Sequence, residues 1–222
     1  VQASIRTKRP IVVSLTVWMS NVTPLQVHIT VILSHFHGDH TGGLIKLRQT
    51  YMNTNPKAFR NVYVAEGFFD QRFDENGELR GFIGGFNKVS DFKKQAEDIG
   101  IEFIMINDSY EIAHNLILSG PVERIFERVV VSPGFYLKET GVLVEDLIRD
   151  DQSLGIKTDK GWYMMSGCGH AGMMNTAHKF HRIDNRDVCG AIGGFHLYSF
   201  SDEVINDIAR SLSEFGLKQL VG

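Results

Sequence analysis

Cysteine is nearly absent: Cys168 and Cys189 are the two in 222 residues. That is too few for the disulfide framework of a small secreted domain, and it suits a reducing compartment. Positive charge is also in deficit. Lys and Arg number 23 against 26 Asp and Glu, a net charge of −3, so no basic field exists to gather phosphate backbones and a nucleic-acid partner is not expected. No run approaches the ~18 apolar residues of a membrane span. The segment Val1-Gln2-Ala3-Ser4-Ile5-Arg6 lacks the charged-then-apolar order of a signal. The expectation is a cytoplasmic protein with no membrane partner. Initiator methionine is missing as well, so the natural chain is expected to continue beyond both ends of residues 1–222.

What is present is an ordinary globular balance, 43% hydrophobic and 22% charged residues. One domain over residues 1–222 buries a full core without disulfides or a structural metal. A metal site here would therefore serve chemistry. Strands are predicted at Ile11–Val17, Val27–Leu33, Val62–Val64, Ile101–Ile106, Leu116–Leu118 and Val129–Val131, from their β-branched and apolar content. Leu154–Lys157 and Trp162–Met165 read as two more around the turn Asp159-Lys160-Gly161. Helices are predicted at Leu44–Tyr51, at Asp91–Ile99 with an Asp cap and terminal Gly100, at Ala171–His181 and at Asp202–Phe215. Val188–Ile192 gives a strand between the last two, and the region from Phe68 to Asn76 reads as an irregular excursion. Short strands followed by strand–helix alternation imply a mixed α/β layered fold.

The chemistry concentrates in Ser34-His35-Phe36-His37-Gly38-Asp39-His40, directly after a predicted strand. His35 and His37 are two apart in an extended run and point to one face, with Asp39 on the same alternation. His40 follows where the chain turns toward a helix. Imidazole and carboxylate together suit zinc, iron, manganese or cobalt. Two later segments repeat the arrangement of strand, glycines and histidine. Ser166-Gly167-Cys168-Gly169-His170-Ala171-Gly172 offers His170 as a ligand and Cys168 as a ligand or a neighbour of one, and Gly193-Gly194-Phe195-His196-Leu197 offers His196. His28, His114, His178 and His181 have no such setting. Asp150 and Asp151 either position substrate or a ligating histidine, or form an exposed acidic turn. Glu123 and Arg124 either meet an anionic substrate or are surface charge.

The stretch Val31-Ile32-Leu33-Ser34-His35-Phe36-His37-Gly38-Asp39-His40-Thr41-Gly42-Gly43-Leu44 resembles the metal-binding motif of the metallo-β-lactamase fold superfamily. Ser166–Gly172, Gly193–Leu197 and Asp150-Asp151-Gln152-Ser153-Leu154 are similar to one branch of it. That branch is named for 7,8-dihydropterin-6-yl-methyl-4-(β-D-ribofuranosyl)aminobenzene 5′-phosphate synthase, and the resemblance spans roughly residues 30 to 222. It implies a four-layer αββα sandwich with one or two divalent ions, zinc first, iron, manganese or magnesium otherwise. His35 and His37 would hold one ion, Asp39 and His40 a second, and Asp39 would also serve as the catalytic base or orient water. The implied substrate is a phosphorylated or pterin-like small molecule, joined in a synthase-type transfer between a pterin pyrophosphate and a ribofuranosylaminobenzene phosphate. A hydrolase of a phosphoester, thioester or lactone and a non-catalytic metal- or ligand-binding protein are the alternatives. The sequence departs from the branch in two places. Nothing in Ile11–Pro24 matches its Phe-Asp-Thr-Gly-like segment, and no His-Cys-Thr-Gly segment follows, so a further ligand is expected outside these residues.

Overall fold

The computed structural model describes residues 30–81, 83–126 and 134–222. Two sheets face each other. The first is parallel, in the order β1 (Val31–Ile32), β2 (Asn61–Ala65), β3 (Glu102–Ile106). Parallel neighbours need crossovers. Helices α1 (Gly38–Thr41) and α2 (Leu44–Tyr51) lie between β1 and β2, and α3 (Val89–Asp98) between β2 and β3.

The second sheet is mixed. Its strands are β4 (Tyr110–Ala113), β5 (Leu116–Leu118), β8 (Ser153–Thr158), β9 (Gly161–Ser166), β10 (Val188–Gly193) and β11 (Gln219–Val221), in the order β11-β10-β9-β8-β5-β4. Helix α4 (Met173–Asp184) precedes β10 and α5 (Asp202–Glu214) precedes β11. A separate hairpin joins β6 (Tyr136–Glu139) to β7 (Val142–Glu145) through Thr140-Gly141, both at positive φ.

The period-two alternation of the strands builds the layers. In the first sheet Val31, Val62, Val64 and Phe103 pack outward with Leu44, Phe92 and Ala96 of the helices. Ile32, Tyr63, Ile104 and Ile106 turn inward to meet Leu116, Leu118, Leu154 and Met165 of the second sheet. On the far side, Trp162, Met164, Val188 and Ala191 pack against Ala177 and Phe180 of α4 and Ile208 and Leu212 of α5. The result is the expected four-layer αββα sandwich.

Two expectations need correction. Asp91 is not the cap of α3, which begins after Lys88 and places Asp91 inside its first turn. Helix α4 starts at Met173 rather than Ala171, because Gly172 at φ 87° breaks the helical path before it. Strands β4, β6, β7 and β11 had no signal strong enough to predict them. Ile11–Val17, Val129–Val131, His28, the start of Val27–Leu33 and the Ile11–Pro24 segment lie outside the described residues.

Candidate metal centre

Strand β1 stops at Ile32, and the chain then bends through residues 33–37 before turning into α1. That bend brings the histidines inward. His35, His37 and His40 are all buried, and so is His170 in the loop after β9. Ring centroids lie 4.5 Å apart for His35–His37, 4.4 Å for His35–His40, 4.7 Å for His35–His170 and 4.8 Å for His37–His170. His196 joins at 4.6 Å from His170, from the end of β10. Five imidazoles thus converge from three strand ends. His35 Nε2 faces His37 Nδ1 at 2.9 Å, and Ser34 Oγ sits 3.0 Å from His35 Nδ1. A proton on His35 Nδ1, donated to Ser34 Oγ, turns the Nε2 lone pair toward His37 and the centre of the cluster.

Among the described residues, three sets of donor atoms lie within 4.8 Å of one another: His35–His37–His170, His35–His40–Cys168 and Cys168–His170–His196. Cys168 Sγ stands 3.0 Å from His40 Nε2. Asp39 belongs to none of these sets. Its carboxylate is 54% exposed and lies 3.6 Å from His40 Nε2. The alternation that was to align Asp39 with His35 and His37 is broken, because Gly38–Thr41 is helical.

Burial keeps these groups uncharged. It pushes His37 down to about 3, and the neighbouring His40, Arg72 and His196 disfavour its protonated form further. His35 is also held well below its ordinary value, by burial first and then by its histidine neighbours. For His40 and His196 burial lowers the value and Asp39 partly opposes it. Burial raises the Cys168 thiol to about 12, with Asp39 and Asp151 adding to it. Buried neutral imidazoles beside a thiol are a zinc-type donor set. Zinc ligands ~2.0–2.3 Å from one ion stand at most about 4–4.6 Å apart, so the donors close on an ion with small side-chain shifts.

The segment 150–152 braces the ligand loops. Asp150, Asp151 and Gln152 are buried, which rules out an exposed acidic turn. Gln152 donates its backbone N–H to Ser34 O at 2.9 Å and its side-chain amide to Leu33 O at 2.9 Å. Asp151 accepts from Ala171 N at 2.7 Å, one residue past His170. Asp150 accepts from the Phe36 backbone and pairs with Arg72 at 2.9 Å. Burial raises Asp150 to about 6 and Asp151 to about 7. Arg72 also pairs with the buried Asp146 at 2.9 Å and lies 3.7 Å over the Phe36 ring. Ser34, Arg72 and Asp146 went unrecognised in the sequence. Arg124 turns its guanidinium to the backbone oxygens of Val122, Leu147 and Ile148, and Glu123 pairs with Arg182 at the surface.

No family model matches the chain. Over 204 residues it is 28% identical to a 7,8-dihydropterin-6-methyl-4-(β-D-ribofuranosyl)-aminobenzene-5′-phosphate synthase of Methanocaldococcus jannaschii, covering 90% of this chain and 66% of the synthase. It is also 28% identical over 178 residues to an uncharacterized protein of that organism, covering 80% of this chain and 61% of the other. Among solved structures it matches Tm1679, a metal-dependent hydrolase of the β-lactamase superfamily. That match has a TM-score of 0.65 at 26% identity and covers 86% of this chain and 66% of the other. The chain has the metallo-β-lactamase fold. It spans about two thirds of the length of both the synthase and Tm1679. In this metallo-β-lactamase fold the histidine cluster sits at one edge of the paired sheets, where β1, β9 and β10 all end. Among the described residues no helix is long and apolar enough to cross a membrane.

Proposed function

We propose that the chain is a metal-dependent enzyme that joins a pterin-like substrate to a phosphorylated partner in a synthase-type transfer. The observation that carries the metal reading is the buried set His35–His37–His170, with all donor atoms within 4.8 Å. These three would hold one divalent ion, zinc first among candidates. Cys168 lies with His35 and His40 in one further set and with His170 and His196 in another, and a second ion would draw on these, with Asp39 beside His40. A bound ion supplies Lewis acidity toward a phosphoryl or carbonyl oxygen. The chain's own groups do the rest. The neutral rings keep lone pairs available, the 150–152 brace fixes their loops, and the exposed Asp39 carboxylate is free to accept a proton or orient a substrate hydroxyl or water. The substrate class rests on the similarity to the synthase.

Tm1679 favours a second reading, hydrolysis of a phosphoester, thioester or lactone. Metal-loaded protein should be given a dihydropterin pyrophosphate with and without a ribofuranosylaminobenzene phosphate. Coupled product that requires both compounds supports transfer. Release from one substrate alone supports the hydrolase, and full metal content without turnover of either kind leaves a binding protein.

The ligand assignment has its own test. His170→Ala should weaken metal binding at least ~10–100-fold, the loss seen when a mere supporting partner of a ligand is removed. Cys168→Ser should be milder, since the thiol is absent from the fully buried His35–His37–His170 set. Wild-type affinity in His170→Ala with loss in Cys168→Ser would reverse the roles. If neither change matters, the loop after β9 is only a turn.

A further inference from the structure

At the open edge of the histidine cluster one aromatic side chain stands in solvent. Tyr198 is 83% exposed, while the other exposed large apolar and aromatic side chains among the described residues range from 37% to 61%. Its ring centroid lies 4.7 Å from that of His196, which is itself 4.6 Å from His170. The backbone enforces this placement. His196 adopts a left-handed conformation, φ 48° and ψ 35°, which a non-glycine residue seldom takes and which histidine takes more readily than most. A single 3-10 turn, Leu197–Ser199, follows it. Phe195 before that turn is buried, and Leu197 and Phe200 pack against the same core beneath α4 and α5. With the flanking apolar side chains anchored below, Tyr198 is held outward beside a candidate ligand.

A tyrosine in that position gains no burial in the folded chain, yet it offers a rigid aromatic face at little conformational cost. The substrate class inferred above contains a fused, planar heteroaromatic ring, and such rings stack on tyrosine. We infer that Tyr198 is the stacking surface for the pterin ring, holding it against the His196 side of the metal centre. The inference rests on the proposed pterin substrate and goes beyond it by naming the residue that recognises the ring.

The test uses metal-loaded protein and 6-hydroxymethylpterin as probe, with binding read from the probe's fluorescence anisotropy. Tyr198→Ala should raise Kd roughly tenfold, within the range found for removing an aromatic partner from a stacked base. Tyr198→Phe should stay within about twofold of wild type, because stacking needs the ring and not the hydroxyl. Metal content, measured on each variant, should not change. Equal probe binding by wild type and Tyr198→Ala overturns the stacking assignment while leaving the pterin reading intact. No probe binding by metal-loaded wild type overturns both. A Kd raised equally by Phe and Ala overturns stacking in favour of a hydroxyl contact.

Discussion

Arg72→Met is expected to lower the unfolding free energy by about 3–5 kcal/mol at pH 8, the cost of removing one partner from a buried ion pair. Arg72 is 2% exposed and holds two carboxylates that are fully buried, Asp146 and Asp150, each at 2.9 Å. The same guanidinium donates to the backbone oxygens of Phe68 and Asp70, at 3.0 and 2.8 Å, and covers the Phe36 ring. Methionine keeps much of the volume and none of these bonds. The loss should depend on pH, with a definite sign. Asp150 is already raised to about 6 by burial, and Arg72 is the largest influence pulling it down. Without Arg72 its folded value rises further above the unfolded one. The folded variant then binds protons that the unfolded chain does not, so its stability falls as pH rises and recovers as pH falls. Urea unfolding at pH 8 and pH 5.5 should show a clearly smaller deficit at the lower value. A deficit under about 1 kcal/mol, or one equal at both pH values, would remove the network from the account of stability.

The second large effect is on metal content. Replacing both His35 and His37 with Ala should remove the ion of the His35–His37–His170 set, cutting bound metal by at least one ion per chain, as read by elemental analysis of the purified protein. The two rings are buried, and their facing nitrogens are 2.9 Å apart. Among the described residues, both belong to the one donor set that is buried throughout. The secondary structure should survive, because the surrounding strands pack through Val31, Ile32 and Leu33 rather than through the imidazoles. Metal content equal to that of the wild type in a folded double variant would falsify the assignment.

The histidine motif was legible because its residues are local. His35, His37 and His40 are within six positions, and each later candidate follows its own strand and glycines. A mixed α/β layering was legible through the short strands and the later strand–helix alternation, and the αββα order through the resemblance that the histidine motif carries. Other features depend on distant partners and leave no local trace. Arg72 lies between Gln71 and Phe73 in a polar and aromatic stretch and reads as a surface residue. Its carboxylates are 74 and 78 positions away. For the same reason Asp150 and Asp151 read equally well as exposed or buried. Asp39 was misplaced by extending the strand's alternation past its end at Ile32. The β6–β7 hairpin escaped notice because Lys138, Glu139 and Glu145 break up its apolar pattern.

The brace at residue 152 also dictates an order of assembly. Gln152 reaches Leu33 across 119 positions, and Cys168 reaches His40 across 128. Closing loops of that length carries an entropic cost that only completed inter-sheet packing offsets. Two of the three donor sets draw residues from both sheets. The short zinc-binding modules fold around their ion, which acts as the nucleus. Here an ion held by those sets would meet a pocket that exists only once the two halves have docked, so metal uptake would follow the formation of the tertiary structure and report on its completion.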